Sequence, residues 1–139
     1  MKSIIIILLT TLSLTTLANQ KSENKSQIVG SWKFTKKTKT SEFQKVFDNS
    51  QMAEIRTEYL TFEDNNKFKH EFLSNDGTIV RTLKGKWKAD GDKIKMEYAD
   101  VDYDLMLNYF FLENDLVLGQ HFNHIIFTKD NLKNNVTMK

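Results

Sequence analysis

From Ile28 onward the chain alternates apolar and polar residues with a period of two, in eight successive segments. Neighbouring side chains of a strand point to opposite faces, so this period predicts half-buried β-strands. The first segment, 28–39, puts Ile28, Gly30, Trp32 and Phe34 in phase. Segment 57–63 aligns Leu60 and Phe62, and 67–73 aligns Phe68, His70 and Phe72. Segment 78–88 carries Ile79, Arg81, Leu83, Gly85 and Trp87, and 92–99 carries Ile94, Met96 and Tyr98. Segment 102–112 aligns Tyr103, Leu105, Leu107, Tyr109 and Phe111. Leu116 and Leu118 define 115–120, and Ile125 and Phe127 point inward from 121–129.

Short Asn/Asp/Gly clusters punctuate these segments: "EDNNK", "SNDGT", "ADGDK" and "ENDL". Such residues tolerate the left-handed backbone that tight hairpins demand. Hairpin-linked strands form an antiparallel meander, and pairing the last strand with the first removes both exposed edges. The pattern therefore predicts an all-β fold, an eight-stranded antiparallel up-and-down barrel over residues 28–130. The long connection after the first strand is the exception. In 41–55, Ser41 and Gln44 have the spacing of a capping box, and Phe43, Val46 and Phe47 recur at i, i+3 and i+4. That segment reads as a short helix or an ordered flap. Phe43 and Phe47 also satisfy alternation, so continuation of the strand is the alternative.

Outside the barrel, residues 1–18 hold one Lys, an apolar run and a small-residue end, with Thr16 and Ala18 at the −3 and −1 positions of cleavage. This is the order of a secretory signal peptide. Export to the periplasm or the medium is expected, with no stable membrane anchor after cleavage. Residues 19–27 read as a flexible lead-in and 131–139 as a polar tail. One of the 20 Lys and Arg, Lys2, leaves with the signal, so the remaining charge nearly balances the 18 Asp and Glu. A nucleic-acid binder draws most of its affinity from a basic excess, and none is present here. The absence of Cys excludes disulfides, thiol catalysis and a cysteine-based zinc site. No cofactor is implied.

Two units, Gly30-x-Trp32 and Gly85-x-Trp87, place a glycine and an indole on one strand face. The expected role is structural: the indole fills the space that the glycine leaves. "GSW" opening the first strand, with "LTFEDNNKF", "LKGKWKADGDKIKM" and the closing "IIFTKD", resembles the lipocalin-like domains of exported bacterial proteins, within the calycin group. The resemblance spans residues 28–130. It implies a barrel whose interior holds a small apolar molecule, with the long first loop folding over the open end and Trp32 packed at the closed end. True lipocalins cover that Trp with an Arg near the last strand and end in a packed helix. Here Lys129 is the nearest cation, and "NLKNNVTMK" is short and polar.

Candidate chemistry is sparse. Ten large aromatics share the inward phase: Trp32, Phe34, Phe62, Phe68, Phe72, Trp87, Tyr98, Tyr103, Tyr109 and Phe111. Two polar residues join them, His70 and Arg81. With Phe62, Phe72, Tyr98 and Tyr109 they form the candidate ligand-binding set, and His70 and Arg81 would meet the head group of an apolar or anionic amphipathic ligand. His121 and His124 lie three apart, on opposite strand faces, and make no metal pair. Asp100, Asp102 and Asp104 read as a solvated edge. No Gly-x-Ser-x-Gly, His-Glu-x-x-His or phosphate-binding glycine loop occurs, so no enzyme activity is expected. Met106, Phe110 and Leu112 lie opposite the inward set of their strand, which predicts either a covering flap or a protein partner. The reading is a non-catalytic binder of a small hydrophobic or amphipathic molecule. Its alternative is a protein-binding module, an inhibitor or immunity-type factor with a filled core.

Overall fold

The computed structural model describes residues 24–37, 57–120 and 123–132. Eight strands run in chain order: β1 (Gly30–Lys37), β2 (Thr57–Phe62), β3 (Lys67–Leu73), β4 (Ile79–Asp90), β5 (Lys93–Tyr98), β6 (Asp104–Leu112), β7 (Asp115–Gln120) and β8 (Asn123–Lys129). Each pairs antiparallel with the next, and β8 pairs with β1 to close the barrel. The closing register sets Trp32 beside Lys129 and Phe34 beside Phe127. The predicted signal peptide (1–18) and the 41–55 flap lie outside the described residues.

Residues 24–28 form a short helix leading into β1. The lead-in expected over 19–27 is thus helical from residue 24, and Ile28 belongs to this helix rather than to the first strand. Burial explains the difference: Ile28 is fully enclosed, and its carbonyl accepts the Trp32 Nε1–H at 2.8 Å. Gly30 then has φ 136°, a region that side-chain-bearing residues avoid, and this lets the chain turn from helix into strand.

Turns 63–66, 91–92 and 113–114 gather with the 24–28 helix at one end of the barrel, the closed end. The connections β3–β4, β5–β6 and β7–β8 lie at the opposite, loop end. There the turn 74–78 is tied by Asp76. Its carboxylate accepts from the Thr78 N–H (3.0 Å) and the Ser74 hydroxyl, which holds its pKa down at about 2. Asn66 (φ 65°) and Glu113 (φ 56°) supply the left-handed residues of two closed-end turns.

The inward phases meet in one core. Leu60, Phe72, Ile94, Met96, Leu116, Leu118 and Phe127 are all fully buried. Of the ten aromatics expected inside, seven are buried, and Phe34, Tyr103 and Phe111 pack half-buried against the rest. Ile79 departs from expectation, at 51% exposed. A β-bulge causes this: Phe72 pairs with Arg81 but Leu73 pairs with Ile79, so β4 uses two residues where β3 uses one. Ile79 therefore takes the outward phase of Leu73.

The two Gly-x-Trp units prove physically different. Gly30 answers a backbone requirement. Gly85 answers a close approach, and the ring in its space is not Trp87 but Phe68, its cross-strand neighbour. The Trp87 ring instead packs edge-on to Phe62 (5.1 Å between centroids), and its Nε1–H donates to the Glu63 carbonyl at 3.0 Å.

Candidate functional site

Register stacks the inner wall of β2, β3 and β4 in layers. Glu58, Phe72 and Arg81 lie side by side nearest the loop end. Leu60, His70 and Leu83 form the next layer, and Phe62, Phe68 and Gly85 the one below, with Tyr98 beside Gly85 on β5. The polar groups of these layers converge. His70 is wholly buried; its Nδ1 lies 3.1 Å from the Tyr98 hydroxyl, and its ring is 4.0 Å from that of Phe72. His70 Nε2 lies 3.4 Å from Glu58 Oε2, within ion-pair reach but outside hydrogen-bond geometry. Glu58 is only 5% exposed, and this oxygen has no hydrogen-bond partner among the described residues.

Electrostatics at the cluster are governed by burial. Desolvation pushes the His70 pKa down, against the opposing pull of Glu58, so the imidazole is held neutral. Burial, with the nearby Glu58 carboxylate, drives the Tyr98 hydroxyl well above its ordinary value. The cluster thus offers a neutral ring, a protonated phenol and a carboxylate, with half-buried Arg81 beside Phe72 on the neighbouring strand.

A pH dependence follows. Unfolded His titrates near 6.5, above the folded value of His70. Below about 6.5 the unfolded chain takes a proton that the folded chain refuses, so stability falls with pH until the folded value is reached. One such proton gives at most about 1.4 kcal/mol per pH unit. Urea unfolding between about pH 7.5 and 5.5, the range spanning that titration, should show a steeper loss for the wild type than for His70→Leu. Parallel pH profiles would show that His70 is not the group responsible.

Of the six residues assigned to ligand binding by sequence, the fold brings His70, Phe72, Tyr98 and Arg81 together on one side of the inner wall. It separates the other two. Phe62 packs against Trp87 near the closed end. Tyr109 packs edge-on to Phe111, which in turn meets Trp32 (6.0 Å), also toward the closed end. Glu58 is an addition that the sequence reading misses, although it sits two and four residues before Leu60 and Phe62 and shares their phase. A charge two residues upstream of an inward run is the available signal. Along the outer wall, Met106, Phe110 and Leu112 remain 48%, 48% and 57% exposed. Asp100 accepts the Lys84 N–H at 2.7 Å, and Asp104 lies 3.6 Å from Lys95, so both serve the exterior. His121 falls outside the described residues.

Comparison with known proteins fits this architecture. A lipocalin-like protein from Bacteroides uniformis ATCC 8492 superposes with a TM-score of 0.55 at 15% identity, covering 75% of this chain and 99% of that one. It shares the fold. More distant are a point mutant of the REP1-NXSQ fatty acid transporter (TM-score 0.47, 13% identity, 76% and 99% covered) and fatty-acid-binding protein 1 of Echinococcus granulosus (0.45, 15%, 75% and 98%). No curated protein matches the chain. The position of Lys129, with Nζ 5.3 Å from the Trp32 ring centroid, supplies the cation over the closed-end indole. Residues 28–118 match the family described as the lipocalin-like domain, and the chain belongs to that family.

Proposed function

We propose that the protein is an exported, non-catalytic barrel that takes a small amphipathic molecule into its lumen through the loop end. The observation that carries this is the Glu58 carboxylate: buried on the inner wall beside His70 and Phe72, with one oxygen lacking a hydrogen-bond partner among the described residues. The neutral His70 ring, with Nε2 3.4 Å away, does not satisfy that oxygen, and a buried charge so placed is unfavourable unless a closer polar group meets it. A head group that donates a hydrogen bond, such as a hydroxyl or a protonated carboxyl group, would meet it on entering at the Glu58–Phe72–Arg81 layer, while its apolar part lies against Phe72, Leu83 and Tyr98. Export rests on the order of residues 1–18. The absence of catalysis rests on chemistry: a neutral imidazole, a phenol pushed above its usual range and a carboxylate supply no activated nucleophile.

Native mass spectrometry of protein purified from its source should read the mass of a chain shortened by its signal, with a small molecule retained. Displacement of a fluorescent fatty-acid analogue then measures affinity. Phe72→Ala should weaken binding ~10-fold, as expected for losing one well-packed aromatic contact. Arg81→Ala should weaken a ligand whose head group both donates to Glu58 and accepts from the guanidinium, while leaving the melting temperature within a few degrees. Absence of any retained mass together with no displaceable binding would defeat the proposal. The alternative, an inhibitor or immunity-type factor, draws on the exposed Met106, Phe110 and Leu112 strip and needs no lumen ligand.

A further inference from the structure

The outward faces of β3, β4 and β5 carry lysines in direct opposition. Register sets Lys67 against Lys86, Lys69 against Lys84 and Lys88 against Lys95. Like charges directly opposite on a sheet repel and weaken it, yet three such pairs adjoin one another here. Lys69 is neutralised by Glu71 (3.2 Å), and Lys95 by Glu97 and Asp104. Among the described residues, Lys67, Lys84, Lys86, Lys88 and Lys93 make no ion pair. A groove of about 440 Å³ lies in this face, where Lys25, Lys86, Lys88 and Lys95 converge around the edge of Trp87, with Glu97 opposite Lys86 as the one acid among them.

The next strand over is β6, whose outward residues include Met106, Phe110 and Leu112. Register joins the two features directly, with Lys95 beside Met106 and Lys93 beside Asn108. In a closed barrel of eight strands, β4 to β6 span about a quarter of the circumference, so both features face the same way. A basic field bordering exposed apolar side chains is the composition of a surface that sits on an anionic bilayer: ammonium groups meet the head groups and apolar side chains enter the interface. Nucleic acid fits less well. The outward positions of β4–β6 hold no Arg, the group that grips phosphates in pairs, and a single aromatic ring, Phe110, where a base-stacking surface needs several.

We infer that the outer wall formed by β4, β5 and β6 is a peripheral docking surface for an anionic lipid bilayer, with Lys84, Lys86, Lys88 and Lys93 at the head groups and Met106, Phe110 and Leu112 at the interface. This surface is independent of the lumen and of what the lumen holds.

Co-sedimentation of the full chain with vesicles tests it, comparing phosphatidylcholine alone with phosphatidylcholine containing phosphatidylglycerol. Every variant keeps the N-terminal apolar run, so differences report the wall. The wild type should bind anionic vesicles at least ~10-fold tighter than neutral ones, and added salt should erase the preference. Lys86→Glu with Lys88→Glu should lower anionic binding at least ~10-fold, at about one to two factors of five per reversed charge. Met106→Ser with Phe110→Ser should also weaken it, and Lys33→Glu on β1 should not. All these side chains are exposed, and an unchanged near-ultraviolet circular dichroism spectrum checks folding. Equal binding to both vesicle types, a preference that survives the β4 reversals or the β6 serines, or tighter capture by duplex DNA through the same lysines would each overturn the assignment.

Discussion

Gly85→Ala should lower the stability of the barrel by about 3 kcal/mol, an effect out of proportion to one methyl group. A Cβ at this position would press into the Glu97 backbone carbonyl and stand 2.7 Å from a Phe68 ring carbon. Both neighbours are fixed. Glu97 belongs to the paired strand β5, and Phe68 is 2% exposed between Phe62 and Tyr98. Overpacking a core typically costs about 1–3 kcal/mol through forced shifts, and a clash with ladder backbone belongs at or above the top of that range. Gly→Ala also removes unfolded-state entropy, which returns only about 0.4–1 kcal/mol, so the clash wins. Gly91→Ala is the control. Its φ of 60° is unfavourable for alanine, but nothing lies within 4 Å of the added Cβ. It should lose only about 1–2 kcal/mol, the cost of the left-handed conformation. Urea midpoints followed by tryptophan fluorescence give both numbers. Equal losses at Gly85 and Gly91 would mean that conformation, rather than the Phe68 approach, selects glycine on β4.

That contrast marks how far the chain can be read without coordinates. Period-two alternation is a local signal, and it locates all eight strands because Asn, Asp and Gly cluster between them, although at the β6–β7 turn the left-handed residue is Glu113. β3 and β7 match the expected 67–73 and 115–120 throughout. What depends on pairing is not legible. The bulge opposite Leu73 is invisible in "TIVRTL", yet it turns Ile79 outward while leaving Arg81 inside. The partner of Gly85 is set by cross-strand register, so sequence proximity points to Trp87 when the ring present is Phe68.

The candidate site shows the same division. His70 and Arg81 stand out because a polar residue in an apolar phase is conspicuous. Glu58 shares the phase of Leu60 and Phe62 but precedes them, where a strand start and a solvated approach look alike. Phe62 and Tyr109 have the right phase and the wrong height, since alternation gives a side chain's face and not its depth along the barrel. The lysine field on the outer wall has a related cause. Single lysines along β3, β4 and β5 read as solvated faces, and only their register reveals Lys67, Lys69 and Lys88 facing Lys86, Lys84 and Lys95.

Trp32→Ala should cost about 3–5 kcal/mol, and three substitutions can divide that loss into its parts. The indole is 2% exposed, packs 6.0 Å from Phe111 and donates Nε1–H to the Ile28 carbonyl at 2.8 Å. Trp32→Phe keeps most of the apolar volume but leaves that carbonyl without its donor in a closed environment. A buried acceptor so deprived costs about 1–3 kcal/mol, and the smaller ring adds to this. Lys129→Gln removes only the cation over the ring, 5.3 Å from its centroid, at an exposed rim worth about 0.5–1 kcal/mol. The expected order of stability loss is therefore Trp32→Ala, then Trp32→Phe, then Lys129→Gln. The hydrogen bond has a second consequence, because it joins β1 to the 24–28 helix at the closed end. Hydrogen exchange at Val29, whose N–H bonds to the Lys25 carbonyl at 3.2 Å, reports whether that helix stays seated. In Trp32→Phe this amide should exchange faster while the strand amides of β3 stay protected. If Trp32→Phe matches the wild type in both stability and Val29 protection, the indole N–H holds nothing, and the tryptophan is required for its volume alone.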